Sequence, residues 1–492
     1  MKTGDKRLKG MKILVVGGGS GGHITPAVAV VRELLEKKPR AQVEFWTDRK
    51  YYKNVVKITT EIGVRWGSED LGNGKKVPYI RVRKVCAGKF RRYAGWTWKD
   101  WFRNWRLVLK DLVFGNIAGF FGFIGGLIQS FWRLLLPSKR PDVIFLKGGF
   151  VGLPVGMVAR KLKIPYVVHE SDAVPGLANR VLMEHATVIA TGWSGLDLSK
   201  LKKKDGTPLL GEGGNVVQVG IPVAPEFQEV DETKQRNLKK SFGFDPEKTL
   251  VVVTGGSQGA ENINVAMTEI LPEMLKFTNV GLVAGRKHYE NMVDLKRYEE
   301  WDRAKLKSGF RMWEFNSAMY ELMGAADVVV SRAGATTIAE LAALSKAVVL
   351  VPFERLPGAH QLKNAEKLRD LGAVLMVGDE KIQQDPKLLL EEVRHLIRAP
   401  REREELAKKL HAEAMPDAAG KLATILIDIA DGVDTTVREA DAAEVEKGET
   451  NKVTVPQAFS EKELAKMKAE QEKLRLKREK MKKKSIKKSK KK

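Results

Sequence analysis

The chain has 492 residues, too many for one core of ordinary size, so two domains with extensions are expected. Hydrophobic residues make up 43% and charged residues 30%, the balance of a folded protein and not of a disordered or wholly membrane-embedded one. The formal net charge of +25 is concentrated: Lys75 to Lys110 holds 12 Lys/Arg against one acid, and Glu461 to Lys492 holds 16 against five, net +11 in each. The other 424 residues carry only +3, which excludes a general basic surface of the kind a nucleic-acid coat needs.

The first ten residues are polar and basic, without an apolar run of signal-peptide length. The single cysteine, Cys86, permits no intramolecular disulfide. Both features place the expected body of the protein in the cytoplasm. Lys12 to Val16 (KILVV) is a short apolar run ending in GGGSGGH, followed by helical spacing from Pro26, the strand, glycine loop and helix that open a parallel α/β unit. Further buried-strand candidates are Val43 to Trp46, Val143 to Leu146, Tyr166 to Val168 and Val188 to Ala190. The pattern restarts after Gly220-Ile-Pro-Val-Ala-Pro: Thr249 to Val253 runs into Thr254-Gly-Gly-Ser-Gln-Gly, and strand-like runs recur at 281–284, 327–330 and 347–351. Two successive doubly wound halves are expected, hinged near residues 220–225. After residue 432 the composition turns to acidic and small residues, then to a Lys/Glu-rich stretch ending in KKKSIKKSKKK, which reads as a linker and a basic tail with no core of its own.

Two glycine loops at equivalent places in two α/β halves predict a ligand held between them, with phosphate at the helix N-termini where backbone N–H groups lack partners. Gly17, Gly19 and Gly22 satisfy G-x-G-x-x-G, but a dinucleotide-binding unit also needs an acid about 20 residues on, and Asp48 comes late for it. His23 stands at the start of the first helix, where the positive end of the dipole disfavours the imidazolium and leaves a ring able to accept a proton. In the second half, Ser331-Arg-Ala-Gly-Ala-Thr-Thr-Ile-Ala-Glu340 follows a strand; Glu340 suits a ribose diol, or else is an ordinary first-turn acid. His360, Gln361 and Asn364 read as loop residues whose polar groups suit sugar hydroxyls, or as solvated loop.

These residues resemble the MurG family of bacterial glycosyltransferases over roughly Met11 to Ile429. The motifs are GGGSGGHITPAVAV (17–30), GGFVGLPVGMVARKLKIPYVVHESDAVPGLANR (148–180), TGGSQGAENIN (254–264), SRAGATTIAELAAL (331–344) and HQLKNA (360–365), in the family's order. The resemblance implies an α/β GT-B fold, two Rossmann-like domains about a cleft. Residues 11–222 form the acceptor and membrane-binding domain, 223–410 the UDP-sugar domain, 411–432 a helix packing back on the first, and 433–492 the linker and lysine-rich tail.

It further implies His23 as general base, with Ser20, Gly21 and Gly22 reaching the donor sugar and acceptor diphosphate. Ser257 and Gln258 fall near the donor phosphates, and Phe315 and Asn316 where the family holds uracil. Ala335, Thr336, Thr337 and Glu340 fall at phosphate and ribose, and Gln361 near the sugar, with His360, Asn364 and Asp172 among the substrate-binding positions. Asp172 and Ala224 stand where well-known members carry asparagine and arginine, and Phe150 replaces a common tyrosine. The implied reaction moves N-acetylglucosamine, with inversion to a β-1,4 bond, from UDP-N-acetylglucosamine to the C4 hydroxyl of undecaprenyl-diphospho-N-acetylmuramoyl-pentapeptide. No Asp-x-Asp occurs in the chain, so no metal or other cofactor is expected.

Between Phe90 and Trp132 lie five of the ten tryptophans, including Trp96, Trp98, Trp101 and Trp105, interleaved with Arg103 and Arg106. Leu112 to Trp132 has no formal charge and contains Phe120 and Phe121, but also Asn116, Gln129 and five glycines. Segment 89–137 therefore reads as a hydrophobic, basic anchor dipping into an anionic leaflet in preference to a full span. The expected location is the cytoplasmic face of the cell membrane, with other cell-wall or division proteins as further partners. Two other readings stand beside this one. A nucleic-acid-binding protein is prompted by the lysine tail but disfavoured by its lack of aromatic side chains after Phe459, and a GT-B transferase with another lipid acceptor, such as diacylglycerol, is the alternative enzyme.

Overall fold

The structure is a computed structural model that describes residues 10–66, 68–70, 76–78, 80–90, 105–107, 113–193, 198, 207, 215–256, 259–293, 309–354 and 358–433. Trp96, Trp98, Trp101, Arg103, Ser257, Gln258 and the whole of the lysine-rich tail lie outside these residues.

Two parallel sheets follow one another along the chain. The first is built from β1 (Lys12–Val16), β2 (Gln42–Thr47), β5 (Ile80–Lys84), β6 (Val143–Leu146), β7 (Tyr166–Glu170), β8 (Val188–Thr191) and β9 (Val216–Gln218), in the order β5-β2-β1-β6-β7-β8-β9. A separate antiparallel pair, β3 (Ser68–Asp70) and β4 (Lys76–Pro78), precedes β5. The second sheet holds β10 (Leu250–Thr254), β11 (Asn279–Val283), β12 (Phe310–Trp313), β13 (Val328–Ser331), β14 (Ala347–Leu350) and β15 (Leu375–Met376), in the order β12-β11-β10-β13-β14-β15. The central strands are near-continuous runs of Val, Ile and Leu because helices cover both faces of a parallel sheet.

In both sheets the strand order reverses beside the first strand, between β1 and β6 and between β10 and β13. A doubly wound sheet opens a crevice at the carboxyl ends of its strands at that switch point, and the glycine loops after β1, β6, β10 and β13 all leave the sheets there. The halves are tied by Arg32, on helix α1 (Gly21–Lys37), which reaches Glu226 at 2.8 Å. The helix Ala418–Asp431 returns from the second half and buries Leu422, Ala423 and Leu426 in the first half's core, against α1.

Three sequence expectations change. Helix α1 begins at Gly21, five residues before Pro26, so the proline sits inside the helix. His360, Gln361 and Asn364 lie on a helix, His360–Asp370, and not in a loop, because Pro352 and the turn after it end the extended segment first. The basic stretch 75–110, which offered no strand candidate, contains one: β5 is an edge strand carrying Arg81, Arg83 and Lys84, and Arg83 ion-pairs with Glu44 on β2. Charged residues on an edge strand discourage pairing with another chain.

Candidate active site

The first loop is held from beneath by an acid. The Asp48 carboxylate, just past the end of β2, accepts from the Gly19 N–H at 2.5 Å and from the Tyr51 N–H at 3.0 Å. Asp48 thus serves the loop itself, which accounts for an acid placed too late to bind a ribose. Above it, His23 donates from Nδ1 to the Gly18 carbonyl at 2.9 Å, with the Ser20 hydroxyl 3.3 Å from the same nitrogen. A carbonyl only accepts, so Nδ1 carries the proton and the Nε2 lone pair is left without a protein partner among the described residues. Burial, and next to it the charge of Lys147, pull the His23 pKa below its ordinary 6.5, while the Gly18 contact and Asp172 oppose them.

The ring rests against the loop after β6. Gly149 has φ +77°, and a Cβ there would lie 2.8 Å from the His23 ring atoms, so both conformation and space require glycine. Lys147, the residue before this pair of glycines, is fully buried; its Nζ donates to His169 Nδ1 at 3.0 Å and to the Ser171 hydroxyl. Glu170, also buried, accepts from the Asp172 and Gly176 N–H groups and from Asn179 Nδ2, each at 2.9 Å, and shapes the segment that follows β7. None of this support was apparent in the sequence, where Lys147 and Glu170 look like ordinary charged residues at strand ends.

From the other half, the helix Ala335–Ala343 points its N-terminus at the first loop. Thr336 Oγ1 donates to the Gly22 carbonyl at 3.1 Å, with Ala335 buried and Thr337 partly exposed beside it. Glu340, partly open to the cleft, has no side-chain partner among the described residues, and its enclosure pushes its pKa up to about 8. Phe315, just past β12, is exposed, with the Arg286 guanidinium 5.2 Å from its ring centre, and the Asn316 side chain accepts from the Ala318 N–H at 2.8 Å.

The helix His360–Asp370 closes the cleft on its far side. Its fully buried Asn364 donates to Asp172 Oδ1 at 3.0 Å and to the Ala333 carbonyl at 3.2 Å, and accepts from the Ala173 N–H at 2.9 Å. His360 Nδ1 donates to the Val174 carbonyl at 2.9 Å, and Gln361 Oε1 accepts from the Phe353 N–H at 3.0 Å. The cleft thus brings together His23, Ser20, Gly21, Gly22, Asp172, Thr336, Glu340, His360 and Asn364; several of their polar groups bind protein across it.

Apart from the cleft, the first half carries an apolar helix, Gly115–Leu135, long and apolar enough to cross a membrane by length and composition. One face is bound to the domain. Gln129 pairs with both the Cys86 N–H and the Lys84 carbonyl at 2.9 and 2.8 Å, Arg133 forks onto Glu44 at 3.1 and 3.0 Å, and Gly119, Gly122 and Gly126 sit on segment 86–89. The approach is closest at Gly88, where a Cβ would fall 1.6 Å from the Gly119 carbonyl oxygen. At 100° per residue, Ile117, Phe120, Phe121, Ile128, Phe131, Trp132 and Leu135 share the opposite arc, about 120° wide, and all are exposed. Trp105 and Arg106 are exposed as well.

Comparison with known proteins gives the same picture. The C-terminal domain model of glycosyltransferase family 28 matches residues 250–422, and its N-terminal domain model matches 13–85 and 100–191. A protein of an Exiguobacterium species is 30% identical over 421 residues, covering 85% of this chain and 99% of its own, and one of a Thermoanaerobacter species is 28% identical over 85% of this chain and all of its own. Both are named UDP-N-acetylglucosamine-N-acetylmuramyl-(pentapeptide) pyrophosphoryl-undecaprenol N-acetylglucosamine transferase. The crystal structure of MurG from Acinetobacter baumannii shares the fold, with a TM-score of 0.57 at 20% identity over 85% of this chain and all of that one. The chain belongs to the MurG family within glycosyltransferase family 28, with its two-domain α/β GT-B fold.

Proposed function

We propose that the protein transfers N-acetylglucosamine from UDP-N-acetylglucosamine to undecaprenyl-diphospho-N-acetylmuramoyl-pentapeptide, the step that completes the lipid-linked disaccharide for peptidoglycan. The observation that carries this reading is the Thr336 to Gly22 hydrogen bond, which sets the N-terminus of a nucleotide-type helix beside the loop that holds His23. His23 Nε2, neutral and unpartnered, takes the proton from the acceptor C4 hydroxyl. The freed oxygen forms a bond to the anomeric carbon as that carbon's bond to the UDP oxygen breaks, with inversion. The charge growing on UDP meets the unsatisfied N–H groups and positive dipole end at Ala335 to Thr337. Glu340, a carboxyl with no protein partner, suits the two hydroxyls of the ribose. Ser20, Gly21, Gly22, Ser257 and Gln258 serve the diphosphates, Phe315 and Asn316 the uracil, and Gln361, His360 and Asp172 the sugar end of the cleft; Asn364, buried with its amide spent on Asp172, Ala173 and Ala333, holds that end in place and does not touch the sugar. No cofactor enters this reaction.

The acceptor's polyprenyl chain fixes where the reaction happens. The helix Gly115–Leu135 is bound to the domain along one whole face, an attachment that suits a helix lying in the plane of the cytoplasmic leaflet. Its outer arc of Phe, Ile and Trp enters the apolar layer, each such side chain contributing about 2 kcal/mol on burial. Trp105, Arg106 and the neighbouring Trp96, Trp98, Trp101 and Arg103 supply interfacial and anionic-lipid contacts. Other cell-wall or division enzymes working on the same surface are the expected neighbours.

The deciding experiment offers the enzyme labelled UDP-N-acetylglucosamine with the lipid-linked muramoyl-pentapeptide or with diacylglycerol. Label should enter the first; transfer to diacylglycerol alone would overturn the assignment.

A further inference from the structure

One buried cation at the edge of the cleft has no part in the chemistry above. Lys147 directly follows β6 and is 1% exposed, and no carboxylate among the described residues comes within ion-pair distance of its ammonium. Its partners are neutral: His169 Nδ1 at 3.0 Å and the Ser171 hydroxyl. His169 donates from Nε2 to the Gly220 carbonyl at 2.8 Å, which fixes its tautomer and leaves Nδ1 as acceptor. The two acids whose charge reaches it are engaged elsewhere, Glu170 by two backbone N–H groups and Asn179, and Asp172 by Asn364. A buried ammonium held this way costs stability that an apolar residue of the same length would not.

The chain around Lys147 shows what the charge is placed to do. Two residues on, Gly149 forms the wall against which the His23 ring lies. The Ser171 hydroxyl begins the segment whose Asp172 and Ala173 meet Asn364, and whose Val174 meets His360, across the cleft. We propose that Lys147 is a positioning residue for the transfer step, its buried ammonium holding the wall of the His23 pocket and the cleft-facing segment 171–174 in one arrangement.

The same fixed charge disfavours a proton on His23. The groups that act on this ring are Lys147 after β6, His169 on β7, Asp172 just past β7, and Ser20 at the helix start, whose hydroxyl lies 3.3 Å from Nδ1. Of these, Lys147 is the largest charged influence, second only to burial. Burial draws the Lys147 pKa down to about 8, so the ammonium is retained at neutral pH.

This inference rests on His23 as the base, and His23→Gln is the control: normal turnover there would remove the base, whatever Lys147 does. The test is the pH profile of kcat/KM for UDP-N-acetylglucosamine with the lipid-linked acceptor, for the parent and Lys147→Met. The acid limb should move up, as expected on losing a nearby like charge, with the deficit greatest on the acid side of the profile. An unmoved limb, or near-normal turnover at every pH, overturns the proposal. Ser171→Ala keeps the charge and cuts the tether, and remains decisive if Lys147→Met does not fold. It should raise the donor KM several-fold with the limb in place, and an unchanged KM counts against the positioning role.

Discussion

Thr336 reaches across the cleft to Gly22 because of a residue four positions further along the helix. Pro26 has no N–H, so the Gly22 carbonyl loses its usual intrahelical donor, and the Thr336 hydroxyl takes that place at 3.1 Å. A proline inside a helix here creates the acceptor by which the two halves meet.

Replacing Thr336 by valine keeps shape and removes the donor. One hydrogen bond of this kind contributes about 1 kcal/mol, so the donor KM should rise roughly three- to tenfold with little change in melting temperature. Steady-state kinetics at saturating acceptor reads this, and an unchanged KM would show the contact to be incidental to donor binding.

His23→Ala should retain fold and UDP affinity and lose at least ~10²-fold in kcat. Gly149→Ala tests the same base from outside: a methyl 2.8 Å from the imidazole, on a backbone with φ +77°, should displace the ring. Turnover should fall at least about tenfold with UDP binding unchanged. In the parent enzyme, the acid limb of kcat/KM should lie below pH 6.5, since burial and Lys147 both lower the His23 pKa.

Glu340, with its pKa pushed up to about 8, is mostly protonated at pH 7 in the free enzyme. Two ribose hydroxyls donate best to the carboxylate, so UDP binding should expel a proton and tighten as pH rises, by roughly tenfold between pH 7 and pH 9. Calorimetry in buffers of different ionisation enthalpy measures both. Glu340→Gln should bind UDP weakly, with a flat profile; a flat parent profile would remove the ribose role. The sign for stability is opposite. A carboxyl whose folded pKa exceeds its unfolded value stabilises the fold below about pH 4.5, and that contribution is lost as pH rises through 8. The Gln variant should therefore gain melting temperature relative to the parent on going from pH 4 to pH 9.

Phe121 and Trp132 are 68% and 64% exposed on the outer arc of the Gly115–Leu135 helix. Phe121→Glu with Trp132→Glu should leave circular dichroism and transfer to a water-soluble acceptor analogue unchanged. Co-sedimentation with anionic vesicles should fall at least tenfold, and undiminished vesicle binding would show that this face is not the anchor.

The sheets were legible because parallel strands buried on both faces read as uninterrupted Val, Ile and Leu, and the loops because glycine clusters follow them at the switch points. Edge strand β5 was hidden: its Ile-Arg-Val-Arg-Lys alternation looks like part of a basic surface until Arg83 is seen paired with Glu44. His23 and Glu340 stood out by type and place. Lys147 and Glu170 did not, and Asp48 stood out only as an acid too late for a ribose, since what they hold is backbone and side chain brought close only by folding. Asn364 was visible as polar, but its engagement with Asp172, Ala173 and Ala333 is a property of the closed cleft alone.

The helix Ala418–Asp431 supplies Leu422, Ala423 and Leu426 to a core otherwise made of residues before Gly220. During synthesis, the first half therefore emerges with its α1 face uncovered while the entire second half is made. The first sheet to leave the ribosome is the last to be finished, and a chain cut short before residue 418 exposes that face for good.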